Sequence, residues 1–497
     1  MKTRTYVTIV TATSLLAGCK VGPDYKAPTA NPAPQAWAEP QGPGVNYATS
    51  PVEAWWSTFN DPQLTSLIQR AAKGNHDLKI ATARLKEARA QRGVVASRWF
   101  PQVDATSQYQ RQRTSENLNS STFRNAINPE SDFFQGGFDM SWELDFFGHI
   151  GRAVESADAD IGSAAAARDA VLVSLLGEVG RNYMELRGLQ KRLDVTRQNV
   201  ESQRAAVDLT RSRFNAGLTT ELDVKQAQAQ LANTESTIPN LESSAKFAIH
   251  RLGVLLGQPP ESLLAELSAS APIPTPPPEV PVGLPSDVLR RRPDIAKAER
   301  DLASSTALIG VATADLFPRF SITGSYGLQS NKLSNFAEGD SQYWSIGPSV
   351  RWPILNWGRI RDNIKVQDAK TEAALAQYEK TLLTSLEEVE NALVAYNAER
   401  VRYKSLADAV DAGRRALELS QQQYTSGLRD FLNVIEAQRT LFISEDALAQ
   451  SEGEVSANLI AVYKSLGGGW RAADVQPEDA SGPPGAPGAA EPAKKMD

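Results

Sequence analysis

The chain has 497 residues, a formal net charge of -6, and 41% hydrophobic and 22% charged residues. That length admits several domains, and the acidic balance gives no reason to expect nucleic acid. Beyond the first twenty residues no apolar run is long enough for a spanning helix, so hydropathy taken alone points to a soluble protein.

The segments themselves point elsewhere. Lys2 and Arg4 precede a short apolar stretch, Tyr6 to Leu16, and then Leu16-Ala17-Gly18-Cys19. A charged start, an apolar core too short to span and small residues before the break predict a signal peptide over residues 1–18. Cys19 is the only cysteine, so no intramolecular disulfide is possible. Leu16 to Cys19 resembles a bacterial lipobox, which implies a covalent lipid on Cys19 as the mature N-terminus; the alternative is a stray thiol beside an ordinary cleavage site. Lys20 in the next position favours sorting to the outer membrane, and several acyl chains at about 0.8 kcal/mol per buried CH₂ would hold the chain there. Residues 19–60, rich in Pro, Gly and Asn, read as an extended segment. Residues 471–497, mostly Ala, Pro, Gly and charge, read as a disordered tail.

A Pro-rich linker at 271–285 separates two copies of one unit, 61–270 and 286–470. Leu209 to Leu231 aligns with Leu419 to Leu441 without a gap, with eight of 23 positions identical, Gly217/Gly427 and Leu222/Leu432 among them. The same offset sets Trp142 over Trp352 and Gly148 over Gly358, and Phe100-Pro101 matches Phe317-Pro318 slightly earlier. Each copy reads as helix, two strands, long helix, return helix. Runs of Ala, Leu, Gln, Glu, Arg and Lys predict long helices at roughly 148–214 and 357–426, with return helices at about 221–256 and 430–466. A helix of about 65 residues is about 100 Å long and requires a coiled coil or tube.

The strands, at about 103–113, 134–145, 319–329 and 343–354, alternate with period two, the first of them only weakly. Phe138, Met140, Trp142 and Leu144 share one face and Asp139, Ser141, Glu143 and Asp145 the other. Each is close to the roughly 10 residues that a tilted strand needs to cross a bilayer. A half-buried sheet also alternates; the aromatic strand ends, the long polar links at 114–132 and 330–342, and the lipobox favour a membrane barrel. Four strands cannot close, and an open edge in lipid is costly, so several chains must pool strands.

Cys19-Lys20-Val21-Gly22-Pro23-Asp24-Tyr25, Trp142-Glu143-Leu144-Asp145-Phe146-Phe147-Gly148, Leu289-Arg290-Arg291-Arg292-Pro293-Asp294-Ile295 and Glu436-Ala437-Gln438-Arg439 together resemble the NodT/OprM-type outer-membrane efflux lipoproteins of the TolC-like superfamily. The resemblance runs from residue 19 to about 470. It implies a mainly α fold with a small membrane β part: a trimeric, 12-stranded transmembrane β-barrel, four strands per chain, continuous with a long periplasmic α-helical barrel. It implies the outer-membrane channel of a tripartite RND-type efflux system, docked to a periplasmic adaptor and an inner-membrane proton-driven pump.

In that frame the turns at 214–223 and 424–436 are the tube's far tips, where Gly217, Leu218, Thr219, Gly427 and Leu428 would meet the adaptor. Gly217 and Gly427 suit the left-handed end of a long helix. Thr220 and Asp430 are expected N-caps, and Asp223 and Asn433 occupy the matching capping-box position. Asp223 is equally open to a gating role. Leu432 and Glu436, four apart, share a face that by resemblance lines the narrowest point; three copies would set an apolar ring beside an acidic one. The family usually has Asp where Glu436 stands. Arg429 and Arg439 are either latches to neighbouring carboxylates or solvated charges. For Arg290, Arg291 and Arg292, structural pairing is preferred over phosphate contact.

His76, His149 and His250 share no metal-ligand spacing, and neither a phosphate loop nor a nucleophile elbow occurs, so no catalysis, metal or cofactor is expected and a partner must supply energy. Two readings compete with the efflux duct. One is the exit duct of a type I protein-secretion system. The other is a coiled-coil spacer of the envelope, against which the alternating aromatic strands argue.

Overall fold

In the computed structural model, residues 20–28, 34, 36–38, 45–46, 53–113, 115, 130–277 and 280–470 are described. The expected signal peptide, Cys19 with its expected lipid, the tail at 471–497 and most of the 114–132 link lie outside them. Ten helices, labelled α1 to α10, and six strands, β1 to β6, follow in chain order among the described residues. β1 (Val45–Asn46), α1 (Pro62–Gly74), α2 (His76–Ala96), β2 (Gln102–Arg113), β3 (Glu130–Leu144), α3 (His149–Asn215), α4 (Glu221–Glu235), α5 (Ile238–Leu255) and α6 (Leu264–Leu267) precede β4 (Val280–Pro281). Then come α7 (Pro285–Arg291), α8 (Pro293–Ala314), β5 (Arg319–Ser330), β6 (Gln342–Arg351), α9 (Arg359–Thr425) and α10 (Phe431–Ser465).

α3 and α9 contain 67 residues each, about 100 Å at 1.5 Å per residue. The first return helix is broken where the sequence predicts one helix over 221–256. Pro239 lacks the N–H that would bond back one turn, and the chain restarts at α5; the second repeat has Ala449 at that place, and α10 runs unbroken. β6 stops at Arg351 rather than 354, just short of Pro353.

The chain divides into two compact units, one of residues 1–28, 85–164 and 297–379, the other of 29–84, 165–296 and 380–497. The first holds an antiparallel sheet in the order β2-β3-β5-β6, so the outer sides of β2 and β6 carry no partner strand among the described residues. Its register sets Phe138 opposite Tyr326 and Tyr326 opposite Trp344, with Met140, Gly324 and Ile346 in a neighbouring row. Phe138, Tyr326, Trp344, Ile346 and Val350 are all more than half exposed. The opposite face is polar: Ser325 and Ser345 hydroxyls lie 2.7 Å apart, Ser321 and Ser349 2.8 Å, and Thr106 donates to Asp139 at 2.8 Å.

The second unit carries the main core. Trp55 stacks on Tyr463 at 6.0 Å between ring centroids, above Leu64, Leu67, Ile68 and Leu176. Here the structure corrects two readings. The 19–60 segment is not merely extended, since Trp55–Phe59 forms a buried 3₁₀ turn. The 271–285 linker is not a free tether, since Val280–Pro281 pairs in parallel with Val45–Asn46 and Val280 and Val282 are buried. In both places the apolar side chains had no period to reveal them.

The repeat persists at the level of single bonds. Trp142 Nε1 donates to the Trp99 carbonyl at 2.9 Å, as Trp352 Nε1 does to Leu316 at 3.0 Å. Asn75 Nδ2 caps the Leu255 carbonyl at 2.9 Å, and the equivalent Arg292 Nη1 caps Ser465 at 2.9 Å. Arg292 is buried and also reaches Asp294 and Glu388, each at 2.6 Å, the structural pairing expected of it, while the Arg290 side chain lies outside what is described.

Candidate functional site

The two helix-to-helix turns close identically. Gly217 (φ +72°) and Gly427 (φ +73°) take the left-handed conformation. Gly217 N–H donates to Phe214 O at 2.9 Å and Leu218 N–H to Arg213 O at 2.8 Å; Gly427 and Leu428 repeat the pair on Tyr424 and Gln423 at 3.0 and 2.9 Å. These are paired Schellman bonds, which satisfy carbonyls that a helix end otherwise leaves open.

The capping boxes expected beyond them do not form. Thr220 and Asp430 hold the N-cap positions in extended backbone, yet neither side chain caps its helix. The Thr219 hydroxyl, one residue earlier, takes the Asp223 carboxylate instead. Asn433 turns back through its backbone and side-chain N–H groups to the Asp430 carbonyl, at 3.2 and 3.3 Å. Asp223 still sits with Glu221 in the first turn of α4, where the helix dipole favours negative charge.

One aromatic clasp joins the turns. Tyr424 meets Phe431 at 5.1 Å between centroids, and the Arg213 guanidinium lies 4.7 Å over the Tyr424 ring while donating to the Thr425 carbonyl at 3.2 Å. Ala206, Val207, Ala227, Val434 and Ile435 fill the space beneath. Sequence reading missed this clasp; the signal was the aromatic at corresponding positions, Phe214 and Tyr424.

With Phe431, Val434, Ile435 and Gln438 turned inward, α10 presents Leu432, Glu436 and Arg439 as an exposed stripe. Leu432 is 55% exposed, and its counterpart Leu222 in the first repeat is similarly bare. Arg439 Nη2 donates to Glu436 at 2.9 Å, a pair within one helix with both side chains more than half exposed. Such a pair contributes about 0–1 kcal/mol. Arg429 is exposed and makes no ion pair with any described residue, so in a single chain it latches nothing. Leu218 and Leu428 stand out at the turns, 64% and 75% exposed.

Cys19 lies outside the described residues, but the chain just after it is pinned. Val21 N–H donates to Phe147 O at 3.2 Å. Arg152, its side chain 1% exposed, donates to Val21 O at 3.0 Å, Gly22 O at 3.2 Å, Asp24 at 2.7 Å and Glu155 at 3.0 Å. Gly22 has φ +86°, and a Cβ there would stand 2.5 Å from Gly310 Cα. The Tyr25 hydroxyl donates to Glu299 at 3.2 Å; burial and the Glu299 charge push it up to about 12. No sequence signal pointed to Arg152, whose repeat counterpart is Asp362.

Residues 67–258 and 284–468, more than half of the chain, match the family model described as outer membrane efflux protein. The chain is 33% identical to Nodulation protein T of Rhizobium leguminosarum bv. trifolii over 92% of its own length and 96% of that protein. It is 31% identical to the antibiotic efflux pump outer membrane protein ArpC of Pseudomonas putida, over 94% and 96%. Its fold is similar to that of the outer-membrane channel OprN, with a TM-score of 0.83 and 38% identity over 91% of this chain and all of the other.

Proposed function

This chain belongs to the outer membrane efflux protein family and is an outer-membrane efflux channel, and from that premise we propose that three copies pool their sheets into a 12-stranded transmembrane β-barrel continuous with an α-helical barrel. The sheet of the first unit carries this reading. One face is apolar and bare, the other polar, and both outer strands lack partners. In hydrocarbon an unpaired edge costs several kcal/mol per open group, so closure between copies is the stable outcome.

The duct is passive. A periplasmic adaptor engages the exposed Leu218/Thr219 and Leu428 turns, and an inner-membrane RND pump supplies energy and selects small toxic compounds. A lipid on Cys19 adds the anchor, and Arg152 ties the chain behind it. The Leu432 side chains from three copies form an apolar constriction that closes by dewetting, and Glu436 adds a cation-attracting ring. The Glu436–Arg439 pair lies within one helix and ties no copy to another, so it does not oppose opening when the adaptor displaces the tips.

Conductance in planar lipid bilayers tests this. The wild type is expected to show small, cation-preferring openings from a mostly closed state, and Leu432→Ala/Glu436→Ala to conduct far more. Equal conductance would remove the gate assignment, and silence from both proteins at every voltage would remove the duct.

A further inference from the structure

The exposed stripe of α10 that begins with Leu432, Glu436 and Arg439 continues past them. Its next member is Ile443, four residues beyond Arg439 and 60% exposed. Eleven residues separate Ile443 from Leu432, three turns plus about 20°, so the two positions share a direction about 17 Å apart along the axis. Farther on, the stripe runs through Ala447 to the exposed Gln450 and Glu454, with no other large apolar side chain. Leu432 and Ile443 therefore bracket the Glu436–Arg439 pair, both of whose side chains are more than half exposed.

A single bare apolar residue is ordinary on a protein surface. Two observations set Ile443 apart. A seam on which another helix packs is apolar along its length, whereas the exposed neighbours of Ile443 on this stripe, Arg439 and Gln450, are polar, so the stripe faces water. The internal repeat then isolates the residue. At an offset of 210, the positions of Leu432, Glu436, Arg439 and Ile443 hold Leu222, Gln226, Ala229 and Asn233 in the first repeat. The leucine is duplicated; the charged pair and the second apolar side chain occur together on α10 alone.

We propose, resting on the reading that this stripe lines a pore with Leu432 at its narrowest point, that Ile443 forms a second apolar ring of the gate. Two constrictions then stand in series, with a charged, wetted chamber between them. Each apolar ring resists ions by dewetting, while Glu436 and Arg439 hold water in the space they enclose. The Leu432 ring limits the current, and the Ile443 ring holds back ions that leak past it. A small ion must shed water at both rings, whereas an amphiphile meets each of them with apolar surface.

The test is planar-bilayer conductance of the full-length protein. Ile443→Asn, the residue of the repeat counterpart, is placed in the wild type and in Leu432→Ala/Glu436→Ala. In the doubly substituted background it should raise conductance severalfold further, and in the wild type by less, because Leu432 still limits the current. Ile443→Leu keeps the ring apolar and should give no such rise. Ile443→Cys in the same background adds a readout that altered packing does not mimic. A bulky, charged thiosulfonate on that thiol should lower the current and a reductant should restore it, while the background, with Cys19 its only cysteine, should not respond. An Ile443→Asn variant that adds nothing, an equal rise from Ile443→Leu, or a thiol whose modification leaves the current unchanged overturns the second ring and leaves the Leu432 gate standing. If Leu432→Ala/Glu436→Ala itself conducts no more than the wild type, the gate reading falls and the second ring with it.

Discussion

Arg152 gathers two backbone carbonyls and two carboxylates while almost none of its side chain meets water. Its ion pair with Asp24 counts for little, because Asp24 is 82% exposed and screened. What the guanidinium secures is the pair of carbonyls of Val21 and Gly22, which a truncated side chain would leave without their donor. Arg152→Ala is therefore expected to destabilise the protein by about 2 kcal/mol. Arg152→Lys should lose part of this, since an ammonium keeps the charge but not the planar fork. Chemical unfolding measures the loss, and limited proteolysis shows whether the 20–25 segment is released; an unchanged midpoint and cleavage pattern for the Ala variant would remove the pinning role. None of this was legible in the sequence. The Cys19 to Tyr25 motif announced itself only by resemblance, and its partner lies about 130 residues away on a helix whose arginines all look alike.

At the scale of the helix end, identical backbone geometry predicts unequal consequences. Gly217, Gly427 and Gly257 have φ between +70° and +73°, so Ala at any of them meets the left-handed penalty of about 1–2 kcal/mol. Around Gly217 and Gly427 a Cβ finds nothing within 4 Å, whereas at Gly257 it would run into the Gly74 carbonyl. Gly217→Ala and Gly427→Ala should loosen the tips by about 1 kcal/mol, seen as faster amide exchange of Leu218 and Leu428, with the global unfolding midpoint unmoved. Gly257→Ala should lower the global midpoint. If all three variants melted alike, steric surroundings would not be the discriminating factor. These stops were readable, because glycine at a helix end has a local cause. The capping boxes were not, because the Thr219 hydroxyl donates to the Asp223 carboxylate that a capping box would give to the Thr220 backbone N–H, and a pattern cannot tell which donor wins. The break before α5 was written in Pro239, and the repeat alignment, by pairing the segment with the unbroken α10, hid it.

The whole molecule poses the question that hydropathy answered wrongly, since no helix among the described residues is long and apolar enough to cross a membrane. Period-two alternation carries the membrane signal instead, and it was legible because the faces of β3, β5 and β6 differ sharply, while β2 alternates only weakly. The number of copies that the proposed closure takes was not, because four strands in one chain demand partners without setting their count. The sheet now permits a test in which neighbouring residues give opposite answers. Ile346 lies on the apolar face, 68% exposed, and Ser345 beside it points to the polar face, bonded to Ser325. If the apolar face meets lipid, Ile346→Lys places a charge in hydrocarbon at a cost of about 2–4 kcal/mol near the midplane, falling toward the interface. In the proposed barrel of three copies that cost would be multiplied, so folding into lipid vesicles should drop severely. Ser345→Lys faces the lumen in the same reading and should fold nearly as well as the wild type, while its added positive charge lowers cation preference in bilayer recordings. If the two variants folded equally well the sheet would not be lipid-facing, and if their effects were exchanged the barrel would be inside out, with the aromatic face lining the pore.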